Sequence, residues 1–211
     1  MADFPSSARL ARADRARLIE DAATRLFAHQ GYASTTVEDI VRAAGVTKPM
    51  LYRHWESKQE LCIALFERHR EELAGAALAV FDPEARDRRR QTVTMLGAWL
   101  EHTRQHPDAA RFLFLPVSGD PEVERLQRDI HARQQATLVA LLREVGADLA
   151  GAEAELAGAA LRGSMEAVAL WWMGHPDVPR EVPVGVLARE VQGLTGIPAE
   201  PTDGKPTDRG E

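Results

Sequence analysis

Residues 36–58, TVEDIVRAAGVTKPMLYRHWESK, hold a glycine corner between two stretches of helical periodicity, and a chain with such a corner has few ways to fold around it. Val37, Ile40, Val41 and Ala44 fall on one face of a helix that turns every 3.6 residues. Gly45 follows where a helix commonly ends in a left-handed residue. Thr47 is placed to cap a second helix through its hydroxyl, and Pro49 lies in that helix's first turn, where a missing backbone donor costs nothing. Leu51 and Trp55, four apart, point inward with Val46. The opposite face carries Lys48, Pro49, Tyr52 and Arg53, with Met50 and His54 at its edges. So short a helix does not persist alone. Two helices crossing steeply at a Gly-containing turn describe a helix-turn-helix, whose second helix enters the major groove of duplex DNA. In that setting Lys48 and Arg53 can reach guanine edges or phosphates. Tyr52 and His54 can donate to phosphate oxygens, and Pro49 and Met50 can touch thymine methyls. Thr47 is grouped with this DNA-facing set.

The remainder reads as helix throughout. Of 211 residues 45% are hydrophobic, and long alternating runs of Val, Ile and Thr are absent, so an all-α chain of about nine helices is expected. Helix one covers 14–30, with Ile19, Ala22, Ala23, Leu26 and Phe27 inward, and Gly31 ends it. Ser57-Lys58-Gln59-Glu60 is a capping box that opens helix four. Phe81-Asp82-Pro83 then breaks the chain, and helix four bridges the parts on either side. Further helices are predicted over 85–105, 108–115, 121–145, 152–173 and 184–194. The expected organisation is a loose N-terminal arm at 1–13, a reading unit at 14–60, a larger helical part at 61–197, and a Pro- and Gly-rich disordered tail at 198–211.

Charge supports two parts with different tasks. The whole chain carries −6, yet residues 1–58 hold nine Lys or Arg against seven acids, leaving the surplus of negative charge in the rest. The single cysteine, Cys62, excludes an internal disulfide and is expected to be inert packing. No run of apolar residues is long enough to span a bilayer or to serve as a secretion signal, so no membrane partner is expected and the cytoplasm is the default.

Residues 31–61, GYASTTVEDIVRAAGVTKPMLYRHWESKQEL, resemble the DNA-binding segment of the TetR family of transcriptional regulators. The likeness is carried by Gly31-Tyr32, Thr35-Thr36, Ala44-Gly45-Val46, Leu51-Tyr52-x-His54-Trp55 and Ser57-Lys58. It implies phosphate contacts from Thr36, Tyr52, His54 and Lys58, and base contacts from Lys48, Pro49, Met50 and Arg53. Pro49 replaces a glycine common in the family, and Glu38 stands where some members read DNA with a basic side chain, so neither base preference nor that contact carries over. The resemblance further implies a homodimer, paired through its last two helices, on a palindromic operator of double-stranded DNA.

The larger part concentrates the aromatic residues. Trp99, Phe112 and Phe114, with Met95 and Met165, could line an apolar pocket for a small-molecule effector, and His102, Arg162 and Glu166 could supply its oriented polar groups. Leu161, Val168, Trp171, Leu187, Val191 and Leu194, together with Leu156, form apolar stripes suited to an interface between two copies. The functional expectation is a homodimeric regulator, a repressor released by its effector.

The alternative is a helical-bundle enzyme, or a ligand-binding protein, with a DNA-binding appendage. Nothing in the sequence supports catalysis: the Gly-x-Ser-x-Gly elbow, the phosphate loop ending in Lys-Ser or Lys-Thr, and the Glu-x-x-His pair are all missing. His102 and His106 are four apart but lack a third ligand, so neither metal nor cofactor is expected.

Overall fold

A computed structural model of the chain describes residues 12–144 and 146–195. Among them it contains nine helices and no strand. The first four are α1 (Arg12–Gln30), α2 (Val37–Ala44), α3 (Lys48–Tyr52) and α4 (Lys58–Leu78). Then follow α5 (Arg88–Gln105), α6 (Pro107–Phe114), α7 (Pro121–Glu144), α8 (Gly151–Met173) and α9 (Glu181–Thr195).

Capping chemistry explains most of the boundaries. Asp87 Oδ1 accepts the Arg90 N–H at 2.9 Å, so α5 begins at Arg88 and not at 85. Pro107 and Pro121 open α6 and α7, where a residue without an N–H loses no bond. Pro183 sits in the first turn of α9, which therefore starts three residues before the predicted 184. Arg12 and Ala13, assigned to the arm, belong to α1. The rest of the arm and the tail at 198–211 lie outside the described residues.

The start of the chain packs as a small three-helix unit. Ile19, Ala23 and Phe27 of α1, Ile40 of α2, and Leu51 with Trp55 around α3 are buried together. α4 closes this core with Leu61 and Leu65, then runs on into the larger body, where α5 packs against α4 and α9, and α8 against α7 and α9. The short α6 lies on α1. Phe112 of α6 stacks on Phe66 of α4 at 4.2 Å and on Phe27 of α1 at 5.7 Å. The sequence reading put Phe112 in an effector pocket; instead it joins the reading unit to the body.

Candidate nucleic-acid interface and effector cavity

At the corner, Gly45 takes φ 66° and ψ 30°, and the Val46 N–H donates to the Val41 carbonyl at 3.0 Å. That left-handed residue turns the chain from α2 into α3 within three residues. Thr47 stands at the N-cap with extended backbone, but its hydroxyl makes no capping bond, contrary to expectation, and is exposed. α3 is held instead from beneath: Leu51 is fully buried, Trp55 nearly so, and Val46 packs against the same core.

With that face committed, the other is exposed by geometry. Lys48, Pro49, Tyr52 and Arg53 are exposed, and Met50 and His54 are half-buried at the edges. Lys48 is ion-paired to Glu38 across the corner. The contact holds the Glu38 carboxyl below its ordinary range and raises the Lys48 ammonium. Glu38 thus offers duplex DNA no cation of its own and anchors the one on α3.

Two expected phosphate contacts are spent elsewhere. The Thr36 hydroxyl donates to Asp39 Oδ2 at 2.6 Å and accepts the Asp39 N–H at 3.1 Å, while the Asp39 carboxylate accepts the Thr36 N–H at 3.1 Å. These bonds form a capping box and hold the Asp39 carboxyl below its usual range. The Thr-x-x-Asp spacing was the available signal. Lys58 turns inward. Its ammonium donates to the Tyr32 and Thr35 carbonyls, each at 2.9 Å, and lies 4.0 Å from the centre of the Tyr32 ring. It ties the start of α4 to the α1–α2 loop. Ser57 accepts the Glu60 N–H at 3.0 Å as predicted, but the Glu60 carboxylate turns to the Glu56 N–H rather than back to Ser57.

Behind this face the α6–α7 loop is latched to the unit. The buried Tyr32 hydroxyl donates to Asp120 Oδ2 at 3.0 Å. Burial, and then the carboxylate, push the Tyr32 phenol well above its normal range. Gly119, at φ 93°, passes so close that a Cβ there would lie 2.7 Å from the Ala33 Cβ. Gln59 donates to Glu122 at 2.7 Å, and His29 meets Asp108 at 2.8 Å. Sequence reasoning missed this junction, because its partners are about 60 to 90 residues apart in the chain.

The larger body contains a half-open cavity of about 720 Å³. Met95, Trp99, Phe114, Arg162, Met165 and Glu166 of the expected set line it, with Trp99 and Phe114 stacked at 5.6 Å. Arg162 Nη1 donates to both Glu166 oxygens, at 2.8 and 2.7 Å. His102 is not in the lining; its ring lies tilted beside that of His106, with the centres 4.5 Å apart. Arg70, Leu73 and Leu78 of α4, and Arg133 with Leu138 of α7, were not anticipated. The i, i+3, i+4 stripe Arg70-Leu73-Ala74-Ala77 was the sign of them on α4.

The apolar stripes of the last two helices divide. Leu161 and Val191 line the cavity and Leu187 is wholly buried, so these three serve the protomer's own core and not an interface. Val168 and Leu194 are half-buried. Trp171 stays exposed, as do Leu156 of α8 and Val182 and Val186 of α9.

Residues 19–65 match the family described as bacterial regulatory proteins, tetR family. Over 99 residues the chain is 33% identical to the HTH-type transcriptional activator FasR of Mycolicibacterium smegmatis, 46% of this chain and 45% of that protein. It is 46% identical over 57 residues to the HTH-type transcriptional regulator TtgR of Pseudomonas putida, 27% of each. These matches span less than half the length of the curated relatives. The crystal structure of a TetR-like transcriptional regulator from Rhodococcus sp. RHA1 superposes with a TM-score of 0.74 at 26% identity, covering 89% of this chain and 100% of that one.

Proposed function

We propose that the chain, which belongs to the TetR family of bacterial regulatory proteins, is a homodimeric, sequence-specific DNA-binding transcriptional repressor released from its operator by a small-molecule effector. The observation that carries the reading is the sidedness of α3. Leu51 and Trp55 fix one face in the core, which leaves Lys48, Pro49, Tyr52 and Arg53 on the exposed face that a groove would meet. Tyr52 and Arg53 serve phosphate and base edges, and Thr47 adds a free hydroxyl beside them.

Dimerisation is supported by the exposed apolar residues of α8 and α9, since Leu156, Trp171, Val182 and Val186 leave apolar surface that a second copy would cover. Two reading helices related by a twofold axis then meet half-sites roughly 34 to 36 Å apart. Effector response is supported by α4, which lines the cavity with Arg70, Leu73 and Leu78 and is tied to the reading unit through Lys58. A ligand that prefers one setting of α4 by about a hundredfold shifts the equilibrium by about 2.7 kcal/mol. Although FasR is named an activator, the sign of regulation follows from where an operator lies relative to its promoter, and repression is the proposal here.

Capture of genomic fragments by the purified protein tests the reading. A shared inverted repeat overlapping promoters is expected. Fragments bound without any common sequence would overturn it.

A further inference from the structure

The cavity has two unlike halves, and helix direction separates them. α4 leaves the reading unit and α5 returns antiparallel to it; α7 starts beside Gln59 and α8 returns antiparallel to α7. Arg70, Arg133, Arg162 and Glu166 therefore lie nearer the reading unit than Arg88 and Glu144, which sit at the far end, where their charges balance. Leu73, Met95, Leu138 and Leu161 make the wall between them apolar.

The near half carries a surplus of cations. Glu166 is already held by both of its oxygens to Arg162, so it neutralises one guanidinium only. Among the described residues, Arg162 Nε and Arg70 Nε are buried without a hydrogen-bond partner, and the ion pair of Arg70 is with Glu71, at 3.6 Å. Arg133 has no ion pair among the described residues. Buried donors of this kind favour a ligand that brings an anionic acceptor, and a neutral or cationic head would leave them unpaired. From Arg70 to Leu78 the α4 wall runs about 12 Å at 1.5 Å per residue, the reach of a medium-length alkyl chain.

We propose that the cavity takes an elongated amphipathic anion, its carboxylate or phosphate group against Arg70, Arg133 and Arg162 and its apolar body directed toward the α4–α5 turn. The proposal rests on the effector reading above and gives that effector its chemistry. It can be tested on the full-length protein by calorimetric titration with dodecanoate, dodecyl phosphate, dodecanol and dodecyltrimethylammonium, each below its micellar concentration. Both anions are expected to bind at least about tenfold more tightly than the alcohol, with the ammonium weakest. Their relative order tells whether the head is carboxylate or phosphate. In Arg70→Gln/Arg133→Gln the anion preference should fall close to one while dodecanol binding stays within about twofold. Arg133→Gln alone, at an exposed side chain that does not support the core, should move the ratio in the same direction. Equal or tighter binding of the alcohol or the ammonium, an anion preference untouched by both variants, or no binding of any probe would overturn the proposal. Operator release is read separately by gel shift. Anions that bind without releasing DNA would sink the effector reading and leave the cavity's chemistry standing; an alcohol that binds as well as the anion and releases DNA would do the reverse.

Discussion

The reading unit and the helical body solve opposite problems with the same kind of helix. In the unit, α3 is short enough that a single buried pair, Leu51 and Trp55, decides its orientation, and every side chain turned outward becomes available to a partner. In the body, α8 and α9 are long and packed on several sides, so an apolar residue can face the core, the cavity or another copy. The contrast teaches that helical periodicity identifies a functional surface where the helix has one buried face, and only burial where it has several.

The comparison breaks first at Leu51. Its side chain is fully buried, and Leu51→Ala is expected to cost about 3 kcal/mol, freeing α3 and abolishing DNA binding while ligand binding in the cavity persists. Thermal denaturation followed by circular dichroism, with gel shift and calorimetry on the same sample, reads all three. Retained DNA binding would mean that α3 is held by something other than this core.

The latch between the two regions gives the next effects. Gly119→Ala places a Cβ 2.7 Å from that of Ala33 at a positive φ, and about 2 kcal/mol of destabilisation is expected from strain of that kind. Tyr32→Phe deletes only the hydroxyl bonded to Asp120 and should cost about 1 kcal/mol. Urea titrations should rank the variants in that order, and both should weaken the transmission of ligand binding to DNA release. Full stability with unaltered release in both would show that the regions communicate through α4 alone.

A smaller effect comes from His69, buried between α1 and α4, whose ring bonds Thr24 at 2.9 Å and Glu72 at 3.1 Å. Burial dominates and lowers its pKa. The unfolded chain therefore takes up a proton, as pH falls below about 6.5, that the folded chain refuses. Stability contributed by neutral His69 is present above that pH and lost on acidification. His102 and His131 shift the same way, also through burial first, so His69→Gln should reduce the fall in Tm between pH 7.5 and 5.5 without removing it. An equal fall in both proteins would contradict the assignment.

How far the sequence could be read follows the same division. The nine helices and the outward set of α3 were legible because periodicity, the glycine corner and the prolines all state local geometry. Lys58 was not, since a long side chain at a helix start can reach outward to phosphate or curl back to loop carbonyls, and the Tyr32 and Thr35 carbonyls decide the matter only after folding. Leu161, Leu187 and Val191 repeat at interface-like spacing, but what lies opposite them is set by α5 and α7, far away in the chain. Arg133 of α7 was missed as a cavity residue for the same reason.

The most direct test of the central claim compares Tyr52→Ala with Lys48→Ala on a selected operator and on random duplex DNA, across a salt series. Tyr52→Ala should weaken both DNAs alike, by about tenfold, as a lost phosphate contact does, whereas Lys48→Ala should lower the preference for the operator and redirect it to other sequences. Equal losses on operator and random DNA in both variants, or none in either, would contradict an account in which the exposed face of α3 does the reading.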